Sequence, residues 1–194
     1  MANNIEPFFK QKNWMKYFEK NLEGRELLEA LYREWTSSRD KDLFLFLYTQ
    51  TWLSLEDVYM RDTERFYQEG VYEKDLFLEL LDYGEKHFNK DIKFRLLTGH
   101  ILSTISYYFW MEEDAELLEQ KGEKLLSDLF SEYPEDFMVQ YFYMPYRLSN
   151  KQYIRWRRKK EVREKVCDLF PSEAEVDTYF SEMGMFVFTE LQRE

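Results

Sequence analysis

Chemistry needs side chains that carry protons, electrons or metal ions, and this chain holds few of the versatile ones: two His, at positions 87 and 100, and one Cys. A single Cys forms no internal disulfide, and this set is too small for a structural zinc site. A carboxylate-bridged di-iron bundle needs Glu three residues before His, yet Gly84 stands before His87 and Leu97 before His100 at that spacing. The Gly-rich phosphate loop, the Gly-x-Ser-x-Gly elbow and the His-Glu-x-x-His pair are also missing. The expectation is a chain without cofactor or metal that is not an enzyme.

One catalytic spacing does occur. Arg95-Leu96-Leu97-Thr98-Gly99-His100 resembles the Arg-x4-His motif of the helical ribonucleases called HEPN domains. That resemblance implies an Arg and a His meeting across a dimer to act on RNA; in the family the residue after Arg is usually polar, and here it is Leu96. The other reading packs His100 inside a long helix with Ile101 and Ile105. The residues favour it, leaving the ribonuclease as a minor alternative.

Charge says more. Between Glu112 and Asp136 ten acids (Glu112, Glu113, Asp114, Glu116, Glu119, Glu123, Asp128, Glu132, Glu135 and Asp136) face Lys121 and Lys124, a net of −8 in 25 residues. At about 100° per residue Glu112, Glu116, Glu119 and Glu123 form one narrow helical stripe, beside a core arc of Ala115, Leu118, Gly122, Leu125 and Leu129. Like charges at i,i+4 cost about 0.2 to 0.5 kcal/mol per pair, so a stripe without i+4 cations suggests cations supplied by a partner. The candidate partner-binding residues are Glu112, Glu113, Asp114, Glu116, Glu119, Glu123, Glu135 and Asp136.

Residues 151 to 165 reverse the sign, with eight bases against Glu161 and Glu164, a net of +6. Drawn as one helix over 150 to 168, these bases surround the axis, unlike a nucleic-acid helix with its bases on one face. Arg158 falls inside the arc of Ile154, Val162, Val166 and Leu169. It is therefore expected to be partly buried and paired with a carboxylate of the acidic helix.

Only 6 Gly and 4 Pro punctuate the chain, and apolar residues recur at three and four, the helical period. The fold class is all-α, with about ten helices near 7 to 20, 24 to 36, 40 to 53, 55 to 69, 73 to 87, 90 to 111, 113 to 132, 135 to 144, 150 to 168 and 172 to 192, in a single domain over 1 to 194. Ser172 with Glu175, and Ser149 with Gln152, read as capping boxes, and Ser54 with Asp57 as a looser start. Pro145 is expected to end the helix before it. The last helix carries a stripe including Phe180 and Leu191 that should be buried. Gly84-Glu85-Lys86 recurs 38 residues on as Gly122-Glu123-Lys124. Stacked helical hairpins of the tetratricopeptide or HEAT kind have such a pitch, and an irregular bundle is the alternative. Gly84 and Gly122 are expected to serve close helix packing.

With 27 Lys plus Arg against 38 Asp plus Glu, the net charge is −11. That field repels phosphate, so neither nucleic acid nor an anionic membrane is the expected partner. The start has no apolar signal region, and the longest strongly apolar run, Leu43 to Tyr48, is far shorter than the roughly 20 residues of a membrane span. A cytoplasmic location is expected. Small, acidic, rich in aromatics (19%) and without catalytic motifs, the chain resembles helical immunity proteins of contact-dependent growth inhibition and related polymorphic toxin systems. The resemblance implies a bacterial inhibitor that binds a basic nuclease toxin domain and occludes its substrate groove. A helical-repeat adaptor or regulatory scaffold that binds a peptide or protein is the alternative.

Overall fold

The computed structural model of the chain describes residues 24–61, 72–105 and 115–169. Every element among them is a helix: α1 (Gly24–Ser38), α2 (Lys41–Arg61), α3 (Tyr72–His87), α4 (Ile92–Ile105), α5 (Ala115–Glu132), α6 (Phe137–Arg147), α7 (Asn150–Arg157) and α8 (Lys160–Leu169). The expected helices near 7 to 20 and 172 to 192, with Phe180 and Leu191, lie outside the described residues. The structure is divided into two compact units, with boundaries between Leu80 and Leu81 inside α3 and between Lys165 and Val166 inside α8.

In the first unit α1 and α2 form a tight antiparallel pair. Arg39 turns the chain at a left-handed φ of 53°, and its N–H donates to the Trp35 carbonyl at 2.8 Å. Asp40 then caps α2, its Oδ1 accepting from the Leu43 N–H at 2.8 Å. This cap satisfies one of the four orphan N–H groups of a helix start. Asp40→Ala is accordingly expected to cost about 1 kcal/mol of stability, read as a lower urea midpoint; an unchanged midpoint would show that the bond contributes nothing.

From Leu43 to Thr49 every side chain of α2 is buried, so this stretch is enclosed on all sides rather than on one stripe. The two buried threonines there and nearby, Thr49 and Thr51, turn their hydroxyls back to the Leu45 and Leu47 carbonyls at 2.8 Å each. Phe44 and Tyr48 stack at 6.0 Å, and Tyr48 stacks on Phe77 of α3 at 5.1 Å. The helix break expected between 53 and 55 does not exist. Trp52 and Leu55 are both fully buried, and with no Gly or Pro between them the local capping tendency of Ser54 yields to burial of a continuous helix.

The second unit is built on the crossing of α4 and α5. A Cβ added at Gly122 would lie 2.6 Å from Ser103 Oγ, 2.7 Å from the Ser103 nitrogen and 2.8 Å from the Gly99 carbonyl oxygen. The two backbones therefore meet directly, and the packing role expected of Gly122 is what the geometry shows. Gly84 is buried as well. The core arc of α5 is rotated from the expected one: Gly122, Leu126 and Leu129 are buried, while Ala115, Leu118 and Leu125 are half-buried.

Two further boundaries differ from expectation. Pro145 does not end α6, which continues to Arg147 with the Leu148 N–H bonded to the Met144 carbonyl at 3.0 Å. A Pro in the last turn forfeits one hydrogen bond but stops no later one from forming. The single helix expected over 150 to 168 is two, since the chain turns at Arg158 and Lys159. Four adjacent cations, Arg157 to Lys160, occupy this turn, where continuing the helix would stack like charges at i,i+3 and i,i+4. The Ser149 start is present, with Gln152 Oε1 reaching back to the Ser149 N–H at 3.0 Å and hydroxyl at 2.8 Å.

Candidate functional site

The candidate acids divide into groups. Glu112, Glu113 and Asp114 lie outside the described residues. Glu116, Glu119 and Glu123 are exposed on α5 at the spacing that puts them on one stripe. Glu135 is exposed in the turn that follows, whereas Asp136 is the N-cap of α6, its Oδ1 accepting from the Val139 N–H at 3.0 Å. Asp136 is thus committed to a cap.

Other charges near the α4–α5 crossing are already neutralised within the second unit. Arg95 forks onto Glu132 through Nη1 at 2.7 Å and Nη2 at 2.6 Å. These bonds raise the pKa of the guanidinium and lower that of the carboxylate. Lys121 pairs with Glu85 of α3. By contrast no ion pair involves Glu116, Glu119 or Glu123 among the described residues, and Glu116 accepts only from the amide of Gln120 at 3.1 Å. Among the described residues the stripe keeps its charge uncompensated.

On the next arc of α5, about 100° round from Glu116 and between Lys124 and Lys121, lies Leu117, 61% exposed. Sequence reasoning passed over it, although the same wheel that defines the core arc places Leu117 outside that arc. A large exposed apolar side chain among polar and charged ones has the composition of an interface core bordered by a charged rim.

The Arg95 and His100 pair is split by its surroundings. Arg95 is held by Glu132, while His100 is only 7% exposed and packs edge-on against Phe142 at 4.9 Å between centroids. The Thr104 hydroxyl donates to the His100 carbonyl at 2.7 Å and lies 3.0 Å from the Tyr146 hydroxyl, which is 3.4 Å from His100 Nδ1. With the Thr104 proton already placed, Tyr146 donates to Thr104, and the weak Nδ1 contact needs the proton on the ring. Burial pushes the imidazole down to about 4 and the Tyr146 phenol up, so both are neutral at pH 7. This matches packing of His100 within its helix.

Arg158 overturns its expectation. It is exposed at the C-terminus of α7 and forms no ion pair among the described residues. The helical wheel placed it inward only by running one helix through the turn at 158 and 159. The true break gathers Lys151, Ile154, Arg155, Arg158 and Lys159 around one open cleft of about 600 Å³.

Among the described residues no group of three or more His, Cys, Asp or Glu is placed to hold a metal ion, and no helix is long and apolar enough to cross a membrane. Comparison with protein-family models, curated proteins and solved structures finds no match to this chain.

Proposed function

We propose that this chain is a cytoplasmic inhibitor that binds a basic nuclease toxin domain and covers its substrate groove, in the manner of an immunity protein. The observation that carries this reading is the α5 stripe: Glu116, Glu119 and Glu123 are exposed and form no ion pair among the described residues, whereas Glu132 of the same helix is forked by Arg95. Carboxylates in this row take the positions that RNA phosphates occupy in a nuclease groove, and Leu117, exposed on the adjoining arc of α5, supplies an apolar contact. Inhibition is steric and electrostatic, and no bond is made or broken. Complementary charge raises association from about 10⁵–10⁶ to 10⁸ M⁻¹s⁻¹ or more at low salt.

The test is copurification with the product of the adjacent upstream reading frame, followed by rate measurements on Glu116→Lys/Glu123→Lys. Thermal stability should stay near the parent value, because both side chains are exposed and reversing them relieves repulsion along the helix. Association should slow by about tenfold at low salt and converge with the parent near 1 M salt, where the Debye length is about 3 Å. Rates that match the parent at every ionic strength would remove the stripe from the interface.

A further inference from the structure

The cleft on α7 is a second charged surface, opposite in sign to the stripe and independent of the reading above. Its lining contains Lys151, Arg155, Arg158 and Lys159 around Ile154. None of the four cations forms an ion pair with a described carboxylate. Ile154 is 49% exposed, among the most exposed large apolar side chains of the described residues. The space above this face, about 600 Å³, is open to solvent rather than enclosed.

Two features make this an arrangement for an anion. Four cations on one face repel one another in the unbound protein, and an incoming carboxylate relieves that repulsion. Lys151 also sits in the first turn of α7, which contains no acidic residue, although helix N-termini favour negative charge. Arg155, Arg158 and Lys159 stand at the C-terminal end of α7, which favours cations, so it is Lys151 and the mutual repulsion of the four that a bound anion would relieve.

The exposed Ile154 narrows the class of anion. A phosphate or a bare polyanion leaves an isoleucine among the cations without purpose, whereas a peptide can set an apolar side chain there and direct carboxylates to either side. Arg155 and Arg158 suit that task, since a guanidinium fork grips a carboxylate through two parallel bonds. A nucleic-acid strand fits less well. It would need aromatic faces for its bases, yet Trp156 is half-buried and stacks with Tyr153 at 6.0 Å and with Phe137 at 6.5 Å. The net charge of −11 opposes a long polyanion, while a short acidic segment lies wholly on the local positive face.

We infer that this cleft is a docking site for a short acidic segment of a partner protein, in which carboxylates flank a large apolar side chain seated on Ile154.

The experiment uses fluorescence anisotropy on the full chain. The probe is a labelled peptide of about twelve residues, alternating Glu and Asp with two central Leu; controls are the same peptide with Ser for Leu, and single-stranded oligothymidylate of similar length. The Leu peptide should bind saturably, and raising salt from about 50 to about 500 mM should weaken it. Arg155→Glu/Arg158→Glu should weaken it by about tenfold or more, and Ile154→Ser several-fold. Melting temperatures should not move, since all three positions are exposed; should the double reversal fail to fold, Lys151→Gln/Lys159→Gln serves in its place with a smaller loss. No saturable binding up to about millimolar peptide, equal binding of the Ser peptide, or indifference to the substitutions would each overturn the inference. Tighter binding of oligothymidylate with the same sensitivity would make this a nucleic-acid site and overturn it too.

Discussion

Replacing Gly122 with Ala is expected to destabilise the protein by about 1 to 3 kcal/mol, although the same change in an exposed helix interior stabilises by about 0.5 to 1 kcal/mol. The sign reverses because of what the new methyl group meets. It would lie 2.6 Å from Ser103 Oγ, 2.7 Å from the Ser103 backbone nitrogen and 2.8 Å from the Gly99 carbonyl oxygen, and two of those three atoms are backbone that moves only if the helices separate. Gly99→Ala should cost less, because its two nearest contacts, Leu126 Cγ at 2.9 Å and a Leu126 methyl at 3.0 Å, belong to a side chain and the Gly122 carbonyl oxygen stands further off at 3.2 Å. Ser103→Gly in the Gly122→Ala background should rescue only in part, since it removes one of the three contacts. Urea titrations with the slope unchanged would read these differences as midpoint shifts. A Gly122→Ala protein more stable than the parent would mean that α4 and α5 do not touch there.

That packing role was legible beforehand because a mid-helix glycine is costly unless another backbone approaches it. The exposed stripe was legible for a similar reason, as residues at i, i+3, i+4 and i+7 share a face whatever surrounds the helix. What stayed hidden depends on rotation and continuity, which a linear pattern does not contain. Leu125 and Leu126 are adjacent apolar residues, and it is the glycine contact that turns Leu126 inward and leaves Leu125 half-buried. Ser54 looked like a cap because capping is a local preference, but burial of Trp52 and Leu55 on a single helix outweighs it. Arg158 failed through the same blindness in reverse: a wheel drawn across an unrecognised turn carried its phase error into every later residue, and a solvent-facing arginine was read as an inward one. The basic cleft was for that reason out of reach, although each of its cations was plain to see.

Acid is expected to unfold this protein earlier than its carboxylates alone would dictate, and His100 is the cause. Its ring is enclosed by α4 and α6, edge-on to Phe142 and only 7% exposed, so a positive charge there would lose its hydration. Burial holds it down to about 4, against 6.5 for an unhindered imidazole. Above pH 6.5 the ring is neutral in folded and unfolded chains alike, and the group adds no pH dependence. As pH falls from 6.5 towards 4, the unfolded chain takes up a proton that the folded one refuses, so stability is lost throughout that window. The loss approaches about 3 kcal/mol, since each pH unit separating the two states is worth about 1.4 kcal/mol. Carboxylates act in the same direction but later: Glu132, lowered by Arg95, begins to lose its contribution only as pH reaches the ordinary carboxylate range near 4.5. The windows therefore separate the causes. Urea midpoints measured from pH 7.5 to 4.5 should fall for the parent from about pH 6.5 downward. His100→Phe, which keeps an aromatic ring against Phe142 but cannot take up a proton, should start less stable at pH 7.5 through the lost polar contact and then hold nearly level to about pH 5. Parallel curves for the two proteins between pH 7 and 5 would show that the His100 ring accepts its proton within the fold, and the enclosed neutral imidazole would have to be abandoned.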